Sequence, residues 1–286
     1  MAISEELGQA HVADLSAGKL AYRERGEGPP VVFIHGLLVN ADLWRHVAPV
    51  VAAAGFRCIA PDWPLGSHQH PIDPSTDLDP VNVAEMIKDF LDYLSLDDVT
   101  LVANDTGGAL TQLFLARYPD RVARVVLTPS DCFERFFPPI FRPLQWLSRL
   151  PGAGWIIAQA LRPRFLHRLP IAFGWVAKRP IPRDITDSYL SPSRNSRLIQ
   201  RDLRRFLRGV NNKLTMTVAN ELRPFGGPVL LAWATEDRLF PVSLADRLAH
   251  AFSNATVIRI ADSYTFIPED QPDLLNEAIL DFLKAS

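Results

Sequence analysis

A chain of 286 residues, 48% apolar and 22% charged, is long enough for one large core carrying an insertion, and its composition is that of an ordinary soluble globular protein. The net charge of −2 gives no basis for a nucleic-acid or membrane partner, and no apolar run is long enough to span a bilayer. Two cysteines, Cys58 and Cys132, exclude a disulfide framework or a zinc-ligand set.

No metal or cofactor is therefore expected. The opening MAISEELGQA is acidic and lacks the apolar stretch of a signal peptide, so the expected compartment is the cytoplasm.

In chain order, KLAYRERG gives a short strand and a turn. PPVVFIHG (Pro29–Gly36) reads as a buried strand, continuous, β-branched and closed by glycine. Residues 41–54 read as one helix stopped by Gly55. FRCIAPD is a second buried strand and 81–94 an amphipathic helix. VTLVAND (Val99–Asp105) is a third, followed by the helix TGGALTQLFLARYP, and RVARVVLTPS is a fourth. The alternation resumes with GPVLLAWATED, a helix over 243–251, the strand ATVIRI and a helix over 270–284. Strands alternating with helices imply βαβ units and a parallel sheet covered on both faces.

Between these halves the alternation fails. Residues 131–215 are expected to form a helical cap inserted into an α/β core made of 1–130 and 216–286. The stretch holds three of the six tryptophans, and its 16 Lys and Arg stand against five Asp and Glu. The cap thus carries +11 and the remainder −13. In RNSRLIQRDLRRFLRGV the apolar set Ile199, Leu203, Phe206, Leu207 and Val210 follows helical spacing, with Arg197, Arg201, Arg204 and Arg208 opposite. Two readings of those arginines are open: a solvated helix face, or a surface attracting an anionic substrate or acidic partner.

The stretch VTLVANDTGGAL carries the chemistry. A buried strand runs into Asp105, then Thr106-Gly107-Gly108, then a helix. A side chain at such a turn projects from the carboxyl edge of the sheet, where ligands bind. Glycines permit the tight turn, and the helix N-terminus stabilises an anion there. A carboxylate so placed is available as a nucleophile, or else only caps the helix. The preceding strand ends in His35-Gly36, whose loop can supply an oxyanion-hole N–H, and Asp237 follows a later strand at the position of an orienting acid.

On these residues the chain resembles the α/β-hydrolase superfamily over essentially its whole length. The resemblance implies a mostly parallel eight-stranded sheet with helices on both faces and a helical cap between the sixth and seventh strands. An aspartate at the elbow resembles the haloalkane dehalogenase and epoxide hydrolase branch. In that branch a carboxylate attacks an alkyl carbon, and a histidine-activated water hydrolyses the ester. The resemblance implies Asp105 as nucleophile, Asp237 as orienting acid, and Leu37, Thr106 and Asn40 on the oxyanion or halide side. A small, largely apolar substrate would lie under cap residues Trp146, Trp155, Trp175 and Tyr189.

The pattern breaks in ADSYTFIPEDQP. Thr265 occupies the histidine's slot with Tyr264 beside it, and neither titrates near neutrality. Thr106 stands where dehalogenases usually carry tryptophan, and the cap has one tyrosine where epoxide hydrolases use a pair. His68 and His70, in the loop after FRCIAPD, are the candidate replacement bases. Three readings follow: a hydrolase using one of these histidines; a non-hydrolytic enzyme (isomerase, dehydratase or cyclase) using Asp105 as acid, base or anchor with Tyr264 or Thr265 holding substrate; or a binding protein without turnover.

Overall fold

The computed structural model describes residues 2–150, 152–160 and 162–285. Eight strands form one sheet: β1 (Gln9–Leu15), β2 (Gly18–Arg25), β3 (Pro30–Ile34), β4 (Arg57–Pro61), β5 (Val99–Asp105), β6 (Val122–Ser130), β7 (Val229–Ala234) and β8 (Ala255–Ile260). Their spatial order is β1-β2-β4-β3-β5-β6-β7-β8. The pairings of β1 with β2 and β2 with β4 are antiparallel, and all others are parallel. β5 lies in the middle of the sheet, so its carboxyl end is ringed by the loops after β3, β6 and β7.

The helices are α1 (Ala48–Ala53), α2 (Pro80–Tyr93), α3 (Thr106–Arg117), α4 (Arg142–Leu147), α5 (Ala153–Ala160), α6 (Arg183–Asn195), α7 (Arg197–Gly209), α8 (Asn212–Val218), α9 (Ser243–Ala251), α10 (Ile267–Asp270) and α11 (Pro272–Lys284). Every residue of β7 is buried, as is β5 up to Asp105, because both strands have neighbours on each side and helices over both faces.

Three local expectations are corrected. Residues 41–54 are not one helix: a single 3-10 turn spans Ala41–Trp44 and α1 begins only at Ala48. Pro49 has no N–H to donate backwards, so it fits only the first turn of a new helix. Pro272 divides the C-terminal helix in the same way, starting α11 after the short α10. Strand β1 escaped the sequence reading because it is an edge strand with mostly exposed side chains and no apolar run.

Between β6 and β7 the described residues form helices and turns but no strand. Helix α7 buries Ile199, Leu203, Phe206 and Leu207, and Val210 beyond its end is buried too. Its arginines are not simply solvated. Arg201 donates to the Ile72 carbonyl at 2.6 Å, while Arg204 and Arg208 donate to that of Ser148. The helix is therefore strapped to the core on one flank and to the turn after α4 on the other.

Candidate active site

Asp105 ends β5 with φ 54° and ψ −128°, a conformation that costs a non-glycine residue about 1–3 kcal/mol. The turn exists because the neighbouring positions are glycine. A Cβ on Gly107 would overlap the Ile34 carbonyl, and one on Gly36 would overlap the Asp105 carboxylate itself. The Leu37 N–H, released by that close approach, donates to Asp105 Oδ2 at 3.1 Å, and the Thr106 N–H also bonds this carboxylate. Leu37 and Thr106 thus each direct a backbone N–H at the Asp105 carboxylate.

Asp105 lines an apolar cavity with Phe137, Phe141, Leu144, Phe173, Val176 and Phe266. Burial pushes its carboxyl up to about 6, and the two N–H donors restrain the rise. At neutral pH it is mostly ionised, in surroundings that offer an anion little else.

Two further carboxyl groups stand close. Asp237 follows β7. Its Oδ1 accepts from the N–H groups of Leu239 and Phe240, each at 2.7 Å, and its Oδ2 accepts from Thr265 Oγ1 at 2.9 Å. Burial pushes it up to about 7, and the charge of Asp105 adds to the rise. Asp131 follows β6 and was not singled out in the sequence. It is fully buried, accepts from Thr106 Oγ1 at 3.0 Å, and its Oδ1 has no protein partner. Burial first and the Asp105 charge second hold it well above the usual carboxylate range. The signal that could have found it is its place, directly after a buried strand on the same sheet edge as Asp105.

Thr265 is fully buried. Its carbonyl accepts from Asn104 Nδ2 at 2.8 Å, and the next residue, Phe266, donates its N–H to the Val176 carbonyl at 2.6 Å. The loop after β8 is thus tied both to the elbow strand and to the segment between β6 and β7. Tyr264 is turned away from the cavity: its ring lies between the Lys178 ammonium, 5.9 Å from the centroid, and the Arg238 guanidinium at 4.8 Å.

Several other expected placements do not hold. Asn40 lines no part of the cavity; its Nδ2 donates to Ser188 Oγ at 2.8 Å and its Oδ1 caps the Asp42 N–H. His68 is buried with both ring nitrogens committed, Nδ1 to the Gly66 N–H at 3.3 Å and Nε2 to Asp202 Oδ2 at 3.4 Å. It anchors α7 to the loop after β4 and is not a replacement base. His70 is half-buried beside Lys19 and Asp62, and it too is absent from the cavity wall. His35 bridges the Gly36 carbonyl and the Trp63 N–H, and burial lowers it to about 4. No histidine lines the cavity among the described residues.

The aromatic lining also differs. Trp146 and Trp155 point into solvent, Trp175 is half-buried against the core, and the hydroxyl of Tyr189 donates to Glu269 Oε1 at 3.1 Å. Phenylalanines, which sequence spacing does not distinguish from core residues, form the wall instead. No group of three or more potential ligands able to hold a metal ion occurs among the described residues.

The family model described as alpha/beta hydrolase fold matches residues 29–272. A Shewanella oneidensis cis-3-alkyl-4-alkyloxetan-2-one decarboxylase is 28% identical over 279 residues, covering 92% of this chain and 84% of the relative. Haloalkane dehalogenase 2 of Mycobacterium tuberculosis is 26% identical over 274 residues, covering 94% and 92%. Among solved structures, a haloalkane dehalogenase from Agrobacterium tumefaciens superimposes with a TM-score of 0.81 at 23% identity, covering 98% of this chain and 99% of its own.

Proposed function

The chain belongs to the α/β-hydrolase fold family, and on that footing we propose that it is an enzyme in which Asp105 acts as a nucleophile on a small apolar substrate without activating water. One observation carries this reading. The Asp105 carboxylate faces an apolar cavity whose wall holds no imidazole, while the acid that would orient one, Asp237, is satisfied by Thr265. A Thr hydroxyl cannot act as a general base at neutral pH, and such help is worth about 10²–10⁴-fold. His68, one of the two substitutes the sequence offered, is already committed to Asp202, and His70 is absent from the cavity wall.

Reactions that need a nucleophile but no water fit this site. The Shewanella relative's name supplies one substrate class, a four-membered lactone bearing two alkyl chains. On such a ring Asp105 attacks the alkyl carbon that carries the ring oxygen. That C–O bond breaks, and its electrons leave on a carboxylate. The carboxylate then departs as carbon dioxide. Its C–C electrons form an alkene as the ester bond to Asp105 breaks and the Asp105 carboxylate is restored. No proton and no water enter the balance, so a site lacking histidine suffices. The phenylalanine-rich wall suits the two alkyl chains.

The test is to supply a cis-3,4-dialkyl oxetan-2-one and to follow alkene and carbon dioxide. Equimolar formation of both, lost in Asp105→Asn, is the expected result. A hydroxy acid carrying solvent oxygen, or an Asp105→Asn variant as active as the parent, would remove the reading.

A further inference from the structure

The net charge of −2 conceals a region with no negative charge at all. From Arg135 to Arg183 the chain contains nine Lys and Arg and not one Asp or Glu. The same region carries the densest set of exposed large apolar side chains on the molecule: Trp146, Leu150, Trp155, Ile156, Phe165 and Leu169. Trp146 is 66% exposed, Trp155 58% and Phe165 78%. A soluble surface seldom leaves such side chains together in water without a partner.

Cations and apolar groups are interleaved in two grooves. One is lined by Trp155 and Ile156 with Arg197, Arg201 and Arg204. The other sets Phe165 beside Arg164, Arg168, Arg179 and Arg183. Arg142, Arg149, Arg162, Arg168 and Arg183 form no ion pair among the described residues, so their charge is available. The second groove adjoins the Asp105 cavity, because Phe173 lines both. Ile171, itself exposed, also lines that cavity.

We propose that the outer face of this insertion docks on an anionic lipid surface, with Trp146, Trp155 and Phe165 entering the headgroup boundary and the unpaired arginines meeting lipid phosphates. Arginine stems lie along apolar surface while their heads reach anions, and tryptophan favours the bilayer interface. Each basic residue near such a surface strengthens binding about fivefold. A second copy of the same face is a poor occupant, since two faces of like charge repel. An acidic protein would match the charge but would not explain three aromatic side chains left so exposed. None of the helices is long and apolar enough to cross a membrane among the described residues, which accords with docking and not spanning. Docking would present the cavity mouth at Ile171 to apolar molecules dissolved in lipid. It stands apart from the role given to Asp105.

The full chain is mixed with phosphatidylcholine vesicles, with or without an equal part of phosphatidylglycerol, and sedimented. The expected result is capture by the anionic vesicles only, release on raising salt, and a blue shift of tryptophan fluorescence on binding. The triple variant Trp146→Ser, Trp155→Ser, Phe165→Ser should bind about tenfold or more weakly. Its thermal melt should match the parent, since these side chains are exposed. Changing Arg162, Arg168 and Arg183 together to Gln should flatten the salt dependence. A wild-type chain that ignores both vesicle types would overturn the proposal. So would full vesicle binding by the triple serine variant, or capture by soluble polyglutamate as strong as by vesicles.

Discussion

Thr265 Oγ1 donates to Asp237 Oδ2 at 2.9 Å, so a hydroxyl fills the place from which the family's base would meet its orienting acid. The acid keeps its geometry through the Leu239 and Phe240 N–H groups. Under the proposed function, no proton acceptor then faces the substrate. Burial raises all three neighbouring carboxyl groups, and hydrogen-bond donors restrain the rise at each: two backbone N–H groups at Asp105, two N–H groups and the Thr265 hydroxyl at Asp237, and the Thr106 hydroxyl alone at Asp131. The nucleophile proposed above, Asp105, is the carboxylate that takes two backbone N–H groups.

Restoring the base should restore hydrolysis. Thr265→His places an imidazole against Asp237 and is expected to speed release of an ester on Asp105 by about 10²-fold or more. The position is fully buried, so the larger ring should also cost about 1–3 kcal/mol of stability. Single-turnover kinetics with a haloalkane, together with a urea melt, measure both effects.

The reactivity of Asp105 should follow its ionisation. Its carboxyl titrates near 6, so the rate of ester formation is expected to be level above neutrality and to fall as pH drops through about 6. Adduct formation by mass spectrometry across a pH series reads this limb. A limb near 4 would mean that burial does not act as described.

Replacing Asp105 by Asn should stabilise the protein while abolishing its chemistry. The folded-state value, about 6, lies above the ordinary 3.8, so the folded state holds the proton more tightly. The stability that this tighter binding contributes is present at low pH. It is lost as pH rises from about 3.8 to about 6, after which the loss is constant. The variant should therefore gain on the parent across that window and keep the gain above it, by at most about 3 kcal/mol. Thermal melts at paired pH values are the measurement.

The loop bearing Thr265 leans on a buried ion pair. Arg45 meets both Glu269 oxygens at 2.6 Å with both side chains almost fully buried. Arg45→Ala leaves Glu269 unpaired and should cost about 3–5 kcal/mol. Replacing both residues with apolar ones of similar volume should cost far less, and chemical denaturation of the single and double variants distinguishes the two outcomes.

The sheet and its elbow were legible because buried parallel strands print continuous apolar runs, and because Gly36, Gly107 and Gly108 mark the places where a Cβ would collide with the Asp105 carboxylate, the β3 backbone or the Ser130 side chain. Asp105 and Asp237 were singled out by their places after such strands, and the break at Thr265 by the family resemblance. Orientation was not legible. Tyr264 and Thr265 are adjacent, yet one meets solvent-side cations and the other Asp237, and nothing in their order says which. His68 looked like a loop histidine, and only the fold brings Asp202 from the middle of α7 to bind it. The cap tryptophans suggested a substrate cage, but helix packing turned Trp146 and Trp155 outward and left phenylalanines inside.

The most direct test of Asp105 as a nucleophile without an activated water is mass spectrometry of the intact chain after incubation with a haloalkane in oxygen-18-enriched water. One halide released per chain, a persisting ester on Asp105 and no heavy oxygen in the product or in Asp105 are expected. Repeated turnover with heavy oxygen entering the alcohol would contradict it.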